Sequence, residues 1–293
     1  MRAWFWASRP FSLGASVVPV LVGTALAMEA GGLDWALFVL ALAGSVLVQI
    51  GTNLTDEYSD HRRGGAESKY PAPHKVIQRG LLSERAVLMG MLVTFGAATL
   101  IGLYITYQVG WPILAVGLAS LAVAYLYSGG PYPLGNLRLG ETAVFLFMGP
   151  VMVMASYYVQ VQETSWPVLA VSLPVGLLVT AILHCNNMRD AEEDRARGKQ
   201  TLAAALGPEA SKLVYAGLLS PAYASLIVLA ATGVAHPLVL LGLVGVPQAV
   251  ANLRALRKAD RAALNAVMVG TSGLHGTTGA AMALGLALAS VLT

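Results

Sequence analysis

Two stretches of the sequence combine amides and carboxylates at the spacing of one helix face. They contain Asn53, Asp56, Glu57 and Asp60, here called the first acidic stripe, and Asn186, Asn187, Asp190 and Asp194, the second acidic stripe. Side chains three, four or seven positions apart point the same way from a helix. Two carboxylates about 6 Å apart repel by roughly 3 kcal/mol at an effective dielectric of about 20, so each stripe predicts a positive partner.

The residue types of the stripes favour a divalent cation with hard oxygen ligands. The chain has one cysteine and no histidine cluster, and Mg²⁺ prefers a few carboxylates and completes its shell with water and phosphate oxygens. Two facing stripes are suited to carry one ion each and to hold a diphosphate between them, with nearby lysines and arginines as further cations. The alternative is that these acids are solvated helix ends balanced by neighbouring bases. Because the same arrangement occurs twice, the sequence favours a binding site.

The segments that must position the stripes are membrane helices. Of the 293 residues 56% are apolar and 11% are charged, and the mean hydropathy is +0.67, values outside the range of soluble proteins. A membrane-spanning helix needs about 20 apolar residues, and long continuous runs exclude the short alternating strands of a membrane barrel. Nine runs are long enough, at 11–30, 33–55, 84–107, 111–128, 141–160, 165–187, 212–232, 236–253 and 262–292.

The first of these runs also resembles a secretory leader, since basic residues precede it and Ala25-Leu26-Ala27 resembles a cleavage site. Trp4 and Trp6 ahead of the run fit an interfacial aromatic belt, so we expect a retained membrane helix. The single cysteine, Cys185, excludes an internal disulfide and is expected to be a packed small residue.

The basic residues predict the orientation of these helices. With nine spans, all 18 Lys and Arg fall on one side of the membrane, whereas the opposite connections carry only Glu29, Asp34, Glu163 and His236 as charged or titratable residues. The positive-inside rule places the basic side in the cytoplasm, with the N-terminus inside and the C-terminus outside. The basic balance therefore reports topology, and it does not suggest nucleic acid as a partner.

The stripes also predict an internal repeat. They end the second and the sixth apolar run, four helices apart, so both copies have the same orientation, unlike the inverted repeats of many transporters. We expect an all-α polytopic membrane protein in one domain over residues 1–293, with helices 1–4 and 5–8 as two related four-helix groups and helix 9 appended. Gly270, Gly273, Gly276 and Gly279 in helix 9 predict close packing or a bend, and His275 is expected to be a buried structural histidine. The sequence indicates no oligomeric state.

Several segments resemble the UbiA superfamily of intramembrane prenyltransferases. That family carries an Asn-Asp-x-x-Asp motif after helix 2 and an Asp-x-x-x-Asp motif after helix 6. NNMRDAEEDRARGKQTLAAALG, GPYPLGNLRLGE and FLFMGPVMVMASYYVQ resemble the branch that prenylates 1,4-dihydroxy-2-naphthoate in menaquinone biosynthesis. The likeness extends from ASRPFSLGASVVPVLVGTALA to helix 8. The chain departs from the first motif, because Asp56-Glu57 replaces Asn-Asp while Asp60 matches, and Glu67 stands about one position from a further expected acid.

The resemblance implies a Mg²⁺-dependent transfer of a polyprenyl group from its diphosphate to a ring carbon of the naphthoate, with loss of carbon dioxide, in a bacterial or archaeal cell membrane. It implies catalytic carboxylates at Asp56, Asp60, Asp190 and Asp194, metal ligands at these four and Glu57, and diphosphate-binding groups at Asn53, Asn187, Arg189, Lys199, Lys75 and Arg9. Acceptor-binding groups are expected at Tyr132, Asn136 and Asn186, of which the first two lie in a glycine-rich connection that forms a candidate lid. Tyr125, Tyr127, Tyr157 and Tyr158 are expected either to line the chamber or to serve in packing.

Two other functions remain open from the sequence. A different acceptor within the same family, such as 4-hydroxybenzoate, chlorophyllide or haem, depends on few side chains. An ion-coupled transporter also places acids and amides in membrane helices, although carriers usually bind near the bilayer midplane between inverted halves, whereas both stripes lie at one face. A structural scaffold would not require paired acidic stripes.

Overall fold

The computed structural model describes residues 2–64, 74–257 and 260–292. Within these ranges the chain is helical, and nine helices are long and apolar enough to cross a membrane, which confirms the predicted fold class. They are α1 (Pro10–Glu29), α2 (Trp35–Arg62), α3 (Glu84–Val109), α4 (Trp111–Ser128), α5 (Gly140–Val161), α6 (Trp166–Ala196), α7 (Pro208–Ala231), α8 (Pro237–Leu256) and α9 (Arg261–Leu292). Glu67 lies outside the described residues.

The two helices that carry the acidic stripes are longer than a membrane span. α2 has 28 residues and α6 has 31, which at 1.5 Å per residue gives lengths of about 42 and 46 Å, against about 30 Å for the hydrocarbon core. Both helices continue without interruption past the apolar runs predicted at 33–55 and 165–187. The stripes therefore sit on rigid helical extensions rather than on loops.

The helix starts follow local sequence signals. Asp34 accepts a hydrogen bond from the Leu37 amide at 3.0 Å at the start of α2, and Ser83 accepts one from the Ala86 amide at 3.2 Å at the start of α3. These bonds satisfy amides that have no partner within the first turn. Proline occupies the first or second position of several other helices, where its missing N–H costs nothing.

α5 and α6 cross at close range, and the crossing deforms α5. A Cβ added to Gly149 of α5 would lie 2.5 Å from the Gly176 Cα of α6, so only glycines allow this approach. Phe147–Val151 of α5 forms a π-helical turn around Pro150, which has no backbone N–H to donate. The crossing holds the first turn of α5 against the polar part of α6.

The helices form two groups that α1 and α9 connect. α2 packs against α1, α3 and α4, while α6 packs against α5 and α7, and α7 against α8. α9 packs against α1, α6 and α8, so it lies inside the bundle. It is one uninterrupted α-helix, and a Cβ added to Gly279 would overlap the Val18 side chain of α1, so this glycine serves close packing rather than a bend.

The outside of the bundle is apolar. α2, α3 and α4 expose most of their apolar surface, whereas α1 and α6 are largely enclosed by other helices. Exposed side chains such as Leu100, Trp111 and Trp166 are the kind that a soluble protein would bury, and here they face outward. The main buried core lies among α1 and α5–α9, and a smaller one surrounds Leu54 of α2.

Candidate active site

Residues of both acidic stripes line one cavity of about 310 Å³. Four carboxylates face it, from Asp56 and Asp60 of α2 and Asp190 and Asp194 of α6. Five bases line the same cavity: Arg9, Arg63, Lys75, Arg189 and Lys199. The structure thus brings together the four predicted catalytic aspartates with all four predicted basic diphosphate-binding residues, although the stripes are about 130 residues apart in the chain.

The aspartates of α2 are held by bases from three different segments. Arg9 Nη2, from just before α1, contacts Asp56 Oδ2, and Ser128 Oγ of α4 donates to Asp56 Oδ1 at 3.0 Å. Asp60 is 5% exposed. Its carboxylate lies 2.9 Å from Lys75 Nζ and 3.5 Å from Lys199 Nζ. Because Lys199 follows α6, this pair links the end of one stripe helix to the other.

Glu57 differs from its neighbours, since its side chain does not line the cavity. It is 2% exposed, its Oε1 accepts a hydrogen bond from the Ile77 amide at 2.9 Å, and its Oε2 lies 3.5 Å from Lys75 Nζ. Consecutive side chains of a helix are rotated by about 100°, and here that rotation turns Glu57 toward the Ile77 amide while Asp56 lines the cavity. The structure therefore does not bring the predicted metal ligand Glu57 to the aspartates; Glu57 instead fixes Lys75 and the connection before α3.

In α6, Arg189 forms the central contact of the second stripe. Its Nε and Nη2 donate to the two oxygens of Asp190 at 2.9 and 2.8 Å, a bidentate pair. The same guanidinium donates to Asn186 Oδ1 at 2.8 Å and to Asn265 Oδ1 of α9 at 3.1 Å. Arg189 thereby fixes the start of α9 beside the cavity. Asp194, one turn further on, is 5% exposed and lines the cavity as well.

The predicted amides have different environments. Asn53 Nδ2 donates to the Ser8 carbonyl at 2.9 Å and to Ser12 Oγ at 3.0 Å, so it holds the start of α1 and the residues before it against α2. Asn136 and Asn186, two of the predicted acceptor-binding residues, line the cavity. Tyr132 does not line the cavity, and it is 76% exposed because it lies at the outer side of the connection between α4 and α5.

The connection between α4 and α5 is tied to both stripe helices. Arg63 Nη2, at the end of α2, donates to the carbonyls of Ser128 at 2.8 Å and Gly130 at 3.0 Å. On the other side, the Gln200 amide after α6 donates to the Asn136 carbonyl at 3.1 Å. These contacts place the glycine-rich segment across the polar end of the cavity, the position expected of a lid.

Several cavity residues were missed from the sequence because no spacing connects them with a stripe. His74 lines the cavity; burial, followed by the positive charges of Arg9 and Lys75, lowers the pKa of His74 to about 2, so its imidazole is neutral at physiological pH.

Of the four tyrosines named above, only Tyr127 lines this cavity. Tyr125 is 45% exposed instead.

The donor set of the cavity fits Mg²⁺. In the part of the chain that the structure describes, no three carboxylate, imidazole or thiolate side chains lie close enough to hold an ion by themselves. Two aspartates from each stripe are the arrangement expected where phosphate oxygens and water complete an octahedral shell. Asp56, Asp60, Asp190 and Asp194 supply oxygen ligands only, which suits a hard cation.

An apolar cavity adjoins the first one. A second cavity of about 200 Å³ lies among α2, α3, α4 and α5 and is lined mainly by aliphatic side chains. The two cavities share wall residues: Ser45, Val48, Ser120, Phe147 and Met152. A molecule with a charged head in the first cavity therefore has an apolar space for a tail.

Comparison with known proteins assigns the chain to a family. The sequence profile of the UbiA prenyltransferase family matches residues 16–291. The chain belongs to this family. It is therefore a prenyltransferase and an integral membrane protein, in agreement with the apolar helices of the structure.

Individual relatives agree with the assignment, and a solved structure shares the fold. The 1,4-dihydroxy-2-naphthoate octaprenyltransferase of Bacillus subtilis is 35% identical, covering 83% of this chain and 78% of its own. The protein of the same name from Mycobacterium tuberculosis is 35% identical, covering 84% and 83%. The fold matches a UbiA homologue from Archaeoglobus fulgidus bound to GPP and Mg²⁺, with a TM-score of 0.63 and 12% identity over 96% of this chain and 99% of that one.

Proposed function

We propose that this protein transfers a polyprenyl group from polyprenyl diphosphate to 1,4-dihydroxy-2-naphthoate, releasing diphosphate and carbon dioxide and forming demethylmenaquinol. The observation that carries the proposal is the composition of one cavity. It is lined by two aspartates from α2, two from α6 and several lysines and arginines, and an apolar cavity adjoins it. The choice of acceptor rests on the two naphthoate octaprenyltransferases that are 35% identical to this chain.

The charges of the cavity suit a diphosphate with divalent ions. Arg9, Lys75, Arg189 and Lys199 offer donors to phosphate oxygens, and each lies beside an aspartate that offers a cation ligand. Asp56, Asp60, Asp190 and Asp194 would hold Mg²⁺, which would supply Lewis acidity and neutralise charge on the departing diphosphate. The bases add to this neutralisation, because the leaving group gains negative charge as the allylic carbon–oxygen bond breaks.

The apolar walls of the cavity protect the allylic carbon, which becomes electron-poor when the diphosphate leaves. Val144, Phe147 and Ile182 line the cavity beside its polar end, and the isoprenoid tail extends along the second cavity. These side chains exclude water, which would otherwise capture the allylic centre before an electron-rich ring carbon attacks it. Loss of the carboxyl group as carbon dioxide then restores the aromatic ring of the acceptor.

We further propose that the cavity opens to the cytoplasmic side of the membrane. The bases that line it are part of the set of lysines and arginines that falls on one side of a nine-helix topology. The positive-inside rule assigns that side to the cytoplasm, which places the C-terminus outside.

Turnover by carboxylate variants tests the proposal. Purified protein in detergent with Mg²⁺, a polyprenyl diphosphate and dihydroxynaphthoate is expected to form prenylated naphthoquinol and carbon dioxide. Asp60→Asn and Asp190→Asn are expected to reduce turnover by at least about a thousandfold, since each loses a charged ligand at the reacting diphosphate. Asp34→Asn is the matched control, because Asp34 caps α2 at the end opposite the stripe and asparagine also caps helices.

Each result has a defined reading. Wild-type turnover in both stripe variants would refute the roles of the aspartates. Transfer to 4-hydroxybenzoate in preference to dihydroxynaphthoate would refute the acceptor and leave the prenyltransferase activity standing. Magnesium-dependent ion flux in vesicles without any prenyl transfer would instead identify a transporter.

A further inference from the structure

A buried pair of titratable side chains lies directly behind the second acidic stripe. Glu141, in the first turn of α5, is 7% exposed, and His184 of α6 is fully buried. His184 Nδ1 lies 3.1 Å from Glu141 Oε1, and His184 Nε2 lies 3.0 Å from the Ser211 carbonyl oxygen of α7. Neither Glu141 nor His184 lines the cavity. The α5–α6 crossing holds these groups together.

The hydrogen bonds of this pair require one extra proton. The Ser211 carbonyl only accepts, so His184 Nε2 must carry a hydrogen. If Nδ1 were bare and Glu141 ionised, two lone pairs would face each other at 3.1 Å. One proton therefore lies between Nδ1 and Oε1, either on the ring as an imidazolium or on Glu141 as a carboxyl group.

Both positions of the proton determine the same orientation of the Asn187 side-chain amide. Asn187 Nδ2 lies 3.0 Å from Glu141 Oε1, which presents a lone pair to it in both arrangements. The amide nitrogen of Asn187 must therefore face Glu141. Its Oδ1 then points the other way, toward the cavity that Asn187 lines, and within the described residues it accepts no hydrogen bond.

We infer that Glu141 and His184 are positioning residues that present the Asn187 carbonyl oxygen to a ring hydroxyl of the aromatic acceptor. The inference rests on the proposed function, and it changes the role expected of Asn187. Diphosphate oxygens are acceptors, so the outward-facing amide oxygen of Asn187 cannot donate to them. A phenolic hydroxyl is the complementary donor.

The depth of Asn187 in the membrane supports this choice of ligand. Asn187 precedes Asp190 by three residues and Asp194 by seven, which places it about 4.5 and 10.5 Å further from the polar end along α6. Val179 and Leu183 of the same helix line the cavity nearby and are apolar. An aromatic ring at the depth of Asn187 lies next to the allylic carbon, which is attached to the diphosphate. A hydrogen bond from its hydroxyl to Asn187 therefore orients the ring for attack on that carbon.

The variant Glu141→Gln tests the inference. A neutral His184 with its Nε2 hydrogen needs a donor at Nδ1, so the new amide nitrogen faces His184 and its second hydrogen faces Asn187. The Asn187 amide then reverses and presents Nδ2 to the cavity. The KM for the acceptor is expected to rise about tenfold or more, while the KM for polyprenyl diphosphate and the half-activating Mg²⁺ concentration stay unchanged. Glu209→Gln, on the exposed start of α7, is the matched control and is expected to change none of the three.

A double-variant cycle separates positioning from general support of the fold. Asn187→Ala is expected to raise the acceptor KM to a similar extent, and Glu141→Gln is expected to add nothing in the Asn187→Ala background. Additive effects, an unchanged acceptor KM, or a rise confined to the diphosphate KM or the Mg²⁺ requirement would overturn the inference. If Glu141→Gln does not fold, Asn187→Ala still tests the acceptor contact, because an unchanged acceptor KM or a rise confined to the diphosphate KM or the Mg²⁺ requirement would overturn the inference. Absence of prenyl transfer by the wild-type protein would overturn the proposed function and this inference with it.

Discussion

Among individual residues, Lys75 illustrates how the cavity balances its charges. Lys75 is 4% exposed, and its ammonium group contacts both Asp60, which lines the cavity, and Glu57, which does not. One lysine thus neutralises two consecutive turns of the first stripe. Removing one partner of a buried ion pair is costly, because the remaining charges are left without full compensation.

Replacement of Lys75 is therefore expected to destabilise the protein. Lys75→Met leaves Asp60 and Glu57 without their shared cation and is expected to lower the free energy of unfolding by about 3 kcal/mol. The midpoint of thermal unfolding in detergent measures this loss.

Two comparisons check the electrostatic cause. Lys212→Met breaks an ion pair whose partner Glu209 is 83% exposed, so it is expected to cost at most about 0.5 kcal/mol. Adding Glu57→Gln to Lys75→Met is expected to recover part of the stability. Equal losses in Lys75→Met and Lys212→Met would show that burial of the Lys75 pair is unimportant.

Among the elements, the site depends on the two long helices α2 and α6 and on the crossing of α5 with α6. The long helices carry aspartates beyond the apolar spans on rigid backbone, which fixes their relative positions better than loops do. The crossing at Gly149 and Gly176 brings Glu141 of α5 to Asn187 of α6. A substitution that moves α5 away from α6 at this crossing would therefore alter the site without replacing any residue that lines the cavity.

The close approach at the crossing makes Gly149 sensitive to a larger side chain. Gly149→Ala places a methyl group 2.5 Å from Gly176 Cα, and the separation of α5 and α6 that follows is expected to cost about 2 kcal/mol of stability. Thermal unfolding in detergent and prenyl transfer are both expected to decrease. Gly217→Ala on α7, where no atom lies within 4 Å of the added Cβ, serves as the control, and an equal loss in both variants would contradict the packing argument.

At the scale of the whole molecule, the two cavities extend from the polar end of the bundle into its interior. The polar cavity lies between α2 and α6, and the apolar cavity lies among α2–α5, so a long substrate contacts helices of both groups. The exposed apolar surfaces of α2–α4 place that second cavity next to lipid. The bundle thus holds the charged and apolar parts of one substrate in separate environments.

The length of the apolar cavity is expected to limit the prenyl chain. Gly117 of α4 lines it, with no atom within 4 Å of an added Cβ, so Gly117→Phe fills space without a backbone clash. Transfer from a long polyprenyl diphosphate is expected to fall about tenfold relative to transfer from geranyl diphosphate.

Competition between the two diphosphates in one reaction gives this ratio directly. Gly96→Phe on α3, also with open space but outside the cavity, is expected to leave the ratio unchanged. An unchanged ratio in Gly117→Phe would mean that the tail does not occupy this cavity.

The amino-acid sequence was sufficient for the number of membrane helices, the family, and the proximity of the two stripes. Three local features of the sequence were enough for this: the long apolar runs, the one-sided distribution of bases, and the repeated spacing of Asp56, Asp60, Asp190 and Asp194. They can be interpreted from the length and period of a helix alone. The structure confirms nine spans within the described residues and places the four aspartates on one cavity.

Only the tertiary structure decided which neighbours of those aspartates take part. Glu57 lies beside Asp56 in sequence yet points away from the cavity, Tyr132 of the glycine-rich connection is exposed, and Glu141 reaches Asn187 across the α5–α6 crossing. Helical periodicity fixes the angles between side chains of one helix. The rotation of that helix toward its neighbours depends on contacts between distant segments, such as the Gly149–Gly176 approach, and no spacing within the sequence encodes them.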